Sequence, residues 1–168
     1  YLATHGSKAG LGCPNGREVP RSKLDRALKA ANEGTRLDGL LLGSCLVGNQ
    51  YTARTLLTTN LAAAQRLKWV AGYEEAVDWF ESTILDVFFL KHILSGENEL
   101  GLSPARAVRL ACNELFYKIP GLVDNMKFCV YARQKGTGKV FNILEHMDRD
   151  FENFCAEIDA DELSVETE

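Results

Sequence analysis

Residues 37–60 read "LDGLLLGSCLVGNQYTARTLLTTN", and the fold turns on whether this stretch coils or extends. Gly48-Asn49, set between two apolar or β-branched runs, has the chemistry of a hairpin turn. Gly39 and Gly43 stand four apart, a spacing that lets one helix pack closely on another. Leu40, Leu41 and Leu42 are consecutive, whereas a half-buried strand alternates apolar with polar residues. The segment is therefore read as helix, with a short hairpin at 37–59 as the alternative.

Downstream, "NLAAAQRLKWVAG" (60–72) offers Asn60 as a cap, an alanine-rich interior and Gly72 as a stop, so it too reads as helix. "DWFESTILDVFFLKHIL" (78–94) lies in a helix expected over about 73–95, closed by Gly96. At 100° per residue Val77, Phe80, Ile84, Val87 and Phe88 share one side, which is read as the inner face. Asp86 then falls on the outer face, flanked by Phe89 and Ile93, and a helix apolar all round is either central or docked on another chain. Ser103-Pro104 starts another helix, with Val108, Ala111, Cys112 and Leu115 as its face and Pro120 as its bound.

From 121 onward two readings compete. "KGTGK" (135–139) could turn a hairpin within 122–144. Against it, Val140, Leu144, Met147, Phe151, Phe154 and Ile158 step by 4, 3, 4, 3 and 4, a helical stripe. Helices at about 121–134 and 139–158 with a Gly136/Gly138 break are preferred. Upstream, "PRSKLDRALKAANEG" gives a helix with Leu24, Ala27, Leu28 and Ala31 as its stripe, Ser22 as cap and Gly34 as stop. Residues 1–20, rich in glycine, read as a flexible arm, 21–158 as the helical domain, and 159–168 as an acidic tail. The expected fold is all-α, an irregular single-domain bundle of six to seven helices.

Composition suits one globular domain: 168 residues, 46% hydrophobic and 25% charged. The chain opens on Tyr1 rather than Met, as a processed chain or excised fragment would. No apolar run nears the roughly 18–20 residues of a membrane span, and no targeting segment is read. Five cysteines, odd in number and scattered among apolar neighbours, suggest reduced thiols in the cytoplasm or nucleus. Charge is uneven. Residues 1–36 carry net +4, 37–144 net +1, and 145–168 net −9.

Recognisable chemical motifs are few. There is no C-x-x-C, H-x-x-x-H or H-E-x-x-H, so neither metal nor cofactor is expected. Of three histidines, His5 sits in the loose arm while His92 and His146 fall on separate helices; Cys112 and Cys129 sit in apolar settings that raise a thiol pKa. "KGTGK" has Arg133 where a P-loop needs glycine and Val140 where it needs Ser or Thr. Lys91 and His92 read as cations at a helix C-terminus, and Asp86 as a structural acid that Arg106 or Arg109 could pair. The expectation is a non-enzymatic interaction domain with a protein partner or a second copy of itself, using Asp86, Phe89, Ile93 and the charged ends. The alternative is nucleic-acid binding through Arg21, Lys23, Arg26 and Lys29, with Lys127, Arg133, Lys135 and Lys139 near Phe128 and Tyr131.

Overall fold

Leu40, Leu41 and Leu42 form the middle of a strand. In the computed structural model, which describes residues 1–7, 10–13, 15–32, 37–58, 67–134 and 137–147, the chain is a mixed α/β fold. Seven strands are β1 (Leu2–Ala3), β2 (Gly10–Gly12), β3 (Glu18–Pro20), β4 (Gly39–Gly43), β5 (Trp69–Tyr73), β6 (Phe128–Arg133) and β7 (Val140–Asn142). Five helices are α1 (Arg21–Asn32), α2 (Gln50–Leu57), α3 (Trp79–Asn98), α4 (Pro104–Lys118) and α5 (Pro120–Met126). The main sheet runs β1-β4-β5-β6-β7, with β1, β4 and β5 parallel and β6 and β7 antiparallel; β2 and β3 pair separately.

This corrects the all-helical expectation, and the reason is physical. A parallel strand covered on both faces has no polar side to show, so it reads as a continuous apolar run. Leu41 faces one core, with Trp69, Ala71, Tyr73, Phe128 and Val130 and the inner faces of α3, α4 and α5. Leu40 and Leu42 face the other, with Val70, Cys129 and Tyr131 and residues of α1 and α2. The alternation is present, but between two cores rather than between core and water. "WVAGY" is the same case: expected as the end of a helix, it is β5, buried throughout. Of the rest of that expected helix, 60–66 lie outside the described residues, and Leu67 and Lys68 are not helical.

The β6–β7 pair forms the hairpin that the 139–158 stripe argued against, with Tyr131 opposite Asn142 and Arg133 opposite Val140. The stripe is helical only briefly, as a 3-10 turn at Leu144–His146, and positions beyond 147 lie outside the described residues. The helix expected over 121–134 stops at Met126, because Lys127 takes a left-handed conformation (φ 47°) that turns the chain into β6. Pro104 at the first turn of α4 and its buried Val108, Ala111, Cys112 and Leu115 match the sequence reading. Nor is all of 1–20 an independent arm: β1 joins the main sheet and β2 pairs with β3.

α3 is helical as expected but turned the other way. Ser82, Leu85, Asp86, Phe89, Ile93 and Gly96 are buried, while Phe80, Ile84 and Val87 are exposed. Asp78 caps it, accepting from the amides of Phe80 and Glu81. Its sequence is apolar on every side, so periodicity fixes that it is a helix without fixing which face goes in.

Candidate functional site

The last paired residues of β1 and β4 are Ala3 and Gly43. Two residues past that pair, at the same end of adjacent parallel strands, stand His5 and Cys45. Ligand crevices in open α/β sheets lie at this end, outside the carboxyl termini of the strands. A cleft of about 510 Å³ opens there, and His5, Cys13, Cys45, Trp79 and Asp86 are among the residues lining it.

Backbone contacts hold the two loops together. A Cβ on Gly6 would fall 1.8 Å from the carbonyl oxygen of Cys45, so only glycine lets the loop after β1 lie on the turn after β4. The His5 carbonyl accepts from the Gly12 amide at 2.6 Å, and Thr4 Oγ1 donates to the Gly12 carbonyl, which ties the His5 loop to β2. On the other side, Leu46 donates its amide to the Glu75 carbonyl and Gly48 to Tyr73, strapping the Cys45 turn to β5 and the segment after it. The Val77 amide donates to Cys45 Sγ at 3.4 Å. Leu46, directly after the cysteine, is left-handed (φ 63°), a conformation that strains a residue with a Cβ and recurs where structure serves a site.

The floor of the cleft is Asp86, 3% exposed. Its partners are tyrosines rather than Arg106 or Arg109: Tyr73 Oη lies 2.6 Å from Oδ1 and Tyr1 Oη 2.7 Å from Oδ2. Burial pushes the carboxyl up, opposed by the hydrogen bonds from Tyr73 and then Tyr1; burial also raises both phenols, with Asp86 adding to the shift. Gly43 makes room for this group, since a Cβ there would meet the Tyr1 ring and Asp86 Oδ2 at 2.7 and 2.9 Å.

The other residues singled out from sequence go elsewhere. Phe89 and Ile93, expected to meet a partner, are buried in the α3–α4 core. Lys91 is exposed and His92 faces Glu114 at 3.9 Å; neither is in the last turn, because α3 continues to Asn98. His92 is lowered by burial despite the opposing pull of Glu114. His146 Nδ1 is 2.9 Å from the Asn142 carbonyl, on the rim of a second cleft of about 400 Å³ that Glu74, Tyr131 and Lys139 also line. Cys112 is sealed in the core and its thiol is raised by burial; burial pushes the Cys129 thiol up to about 12, as the apolar settings implied.

Of the basic residues, Lys23, Arg26, Lys127, Arg133 and Lys139 are exposed. The side chains of Arg21 and Lys29, and all of Lys135, lie outside the described set. Lys127 and Arg133 sit at opposite ends of β6, about 20 Å apart at strand rise, and so do not form one patch. Among the described residues no group of three or more His, Cys, Asp or Glu is placed to hold a metal ion, and no helix is long and apolar enough to cross a membrane.

Sequence reasoning passed over His5 and Cys45 by consigning the first to a loose arm and the second to a helix. A signal was present. "YLATHG" and "LLLGSCLVG" share a form: an apolar run, a small residue, then His or Cys, with glycine close behind. Read as two strands, each delivers a reactive group at its end. No protein-family model matches the chain, and no curated protein matches it.

Proposed function

We propose that this protein is a thiol hydrolase acting on acyl bonds of peptides, with Cys45 as nucleophile and His5 as general base and acid. In this reading His5 takes the Cys45 proton and the sulfur attacks the carbonyl carbon. A C–S bond forms, the C–N bond breaks, and His5 returns the proton to the departing nitrogen. Water then attacks the thioester, His5 accepts its proton and passes it to the released sulfur, and the acid leaves. The observation that carries the reading is the delivery of one imidazole and one thiol to a single open cleft from the matched ends of neighbouring strands. The exposed rim residue Trp79 offers an aromatic face to a substrate side chain.

The test uses a mixed library of peptidyl aminocoumarins. Turnover is expected from the native chain and a loss of at least about 10³-fold in Cys45→Ala and His5→Ala. Equal turnover by Cys45→Ala, or none by the native chain across the library, would refute the proposal.

One observation favours a second reading, recognition of a protein partner: Phe80, Ile84, Val87 and Leu94 are exposed along α3 at the 4, 3 and 7 spacing of a helix–helix seam. Sedimentation of the native chain and an Ile84→Asp/Val87→Asp variant tests self-association through this face; a shared monomeric mass would count against it.

A further inference from the structure

We infer that Asp86, reached through the mouth formed by Tyr1 and Trp79, is the floor of a specificity pocket that binds a cationic side chain, lysine- or arginine-like, of the peptide substrate. The inference rests on the reading of Cys45 and His5 as the reacting pair, and adds which substrate they would receive.

Tyr73 Oη lies within bonding distance of both Asp86 Oδ1 (2.6 Å) and the Ser82 carbonyl (2.9 Å), while Tyr1 Oη meets Oδ2 at 2.7 Å. These are three oxygen–oxygen contacts, and the two hydroxyls supply two protons. Ser82 lies within α3, where its carbonyl belongs to the helix, so Tyr73 donates to Oδ1 and Tyr1 to Oδ2, and both oxygens of the carboxyl are hydrogen-bonded. Two hydrogen bonds satisfy the oxygens but leave a buried carboxylate without an opposite charge, a costly state unless a cation arrives. Burial raises the carboxyl against the pull of those two hydrogen bonds.

The side chains lining the cleft give Asp86 no lysine or arginine as counter-ion. Besides Asp86, the titratable groups of that lining are Tyr1, His5, Cys13 and Cys45, and Tyr73 adjoins from β5. The same walls hold two aromatic faces, Tyr1 and Trp79. Aromatic faces attract cations, and an anionic side chain would meet repulsion from an ionised floor. Gly43, two residues before Cys45, lets Tyr1 and Asp86 pack against the strand that leads to the nucleophile. A cation entering here displaces Tyr1 from Oδ2 and takes the carboxylate as partner.

The test compares N-acetyl-arginine amide with its uncharged isostere N-acetyl-citrulline amide, as protectants of Cys45 from iodoacetamide and as the residue preceding the cleaved bond in peptidyl aminocoumarins. Arginine amide is expected to slow alkylation of the native chain at concentrations where citrulline amide does not. The arginyl coumarin is expected to exceed the citrullinyl one by about a hundredfold in kcat/KM. Asp86→Asn, which keeps the tyrosine contacts, should collapse that ratio to near one; if it does not fold, the native arginine–citrulline comparison decides alone. Equal protection and equal turnover by the two would overturn the pocket while leaving the thiol reaction standing. Protection by arginine amide without turnover of any coumarin would sustain the pocket and sink the reaction.

Discussion

Two regions of this molecule use the same residue types to opposite ends. At the carboxyl ends of β1 and β4, Cys45 is half-buried, takes a backbone hydrogen bond and borders a cleft with His5. In the α3–α4 block, Cys112 lies among Leu85, Phe89, Ala111 and Leu115 with no exposure at all, and its thiol is raised by burial. The first region is made of backbone brought close to backbone, the second of side chains filling space. A cysteine is reactive or inert according to which construction surrounds it.

The comparison breaks most sharply on substitution of the two thiols. Cys45→Ala should cost at least about 10³-fold in turnover with the melting temperature unchanged, whereas Cys112→Ser should leave turnover intact and lower stability by about 1–3 kcal/mol, since it buries a hydroxyl without a partner. Calorimetry beside the coumarin assay reads both. Next is a pair on one helix. Phe89→Ala removes a ring packed edge-on against Trp69 and Phe128 and should destabilise by about 3–5 kcal/mol; Phe80→Ala, on the exposed side, should stay within about 0.5 kcal/mol. Similar losses from the two would mean that the buried face of α3 is assigned wrongly.

Asp86 belongs to both regions, being a core position that floors the cleft. Its folded carboxyl is raised above the unfolded one, so the folded state holds the proton more tightly. Stability from this group is therefore full below the ordinary carboxylate range near 4 and declines as pH rises from there through the raised value. Asp86→Asn should flatten that decline in melting temperature against pH, and an unchanged slope would show that the acid is ionised in the fold. The smallest effect is at Leu46. Glycine there relieves the left-handed strain but loosens the unfolded chain, so Leu46→Gly should raise stability by no more than about 1 kcal/mol in urea titration.

How much of this was legible varied with what each residue faces. Pro104 and the apolar spacing of α4 gave that helix directly, because one of its sides meets water and the period shows. β4 and β5 were hidden for the opposite reason: with a core on each side, Leu40–Leu42 and Trp69–Tyr73 carry no polar trace of their two-residue repeat. The phase of α3 was hidden likewise, since tyrosine hydroxyls contributed by Tyr1 and Tyr73, distant in sequence, are what draw Asp86 inward. The site was illegible as a consequence. His5 and Cys45 are 40 positions apart and meet only because β1 pairs with β4, a relation that no local pattern encodes.

That pairing is slight. β1 contributes two residues at the margin of the main sheet, matched only to Leu42 and Gly43, while Cys45 rides on a strand flanked on both sides. One half of the proposed machinery hangs from a thread and the other from the frame. Mild heat or dilute denaturant should then detach the imidazole while the interior is still intact, so that hydrolysis fades well before ellipticity does.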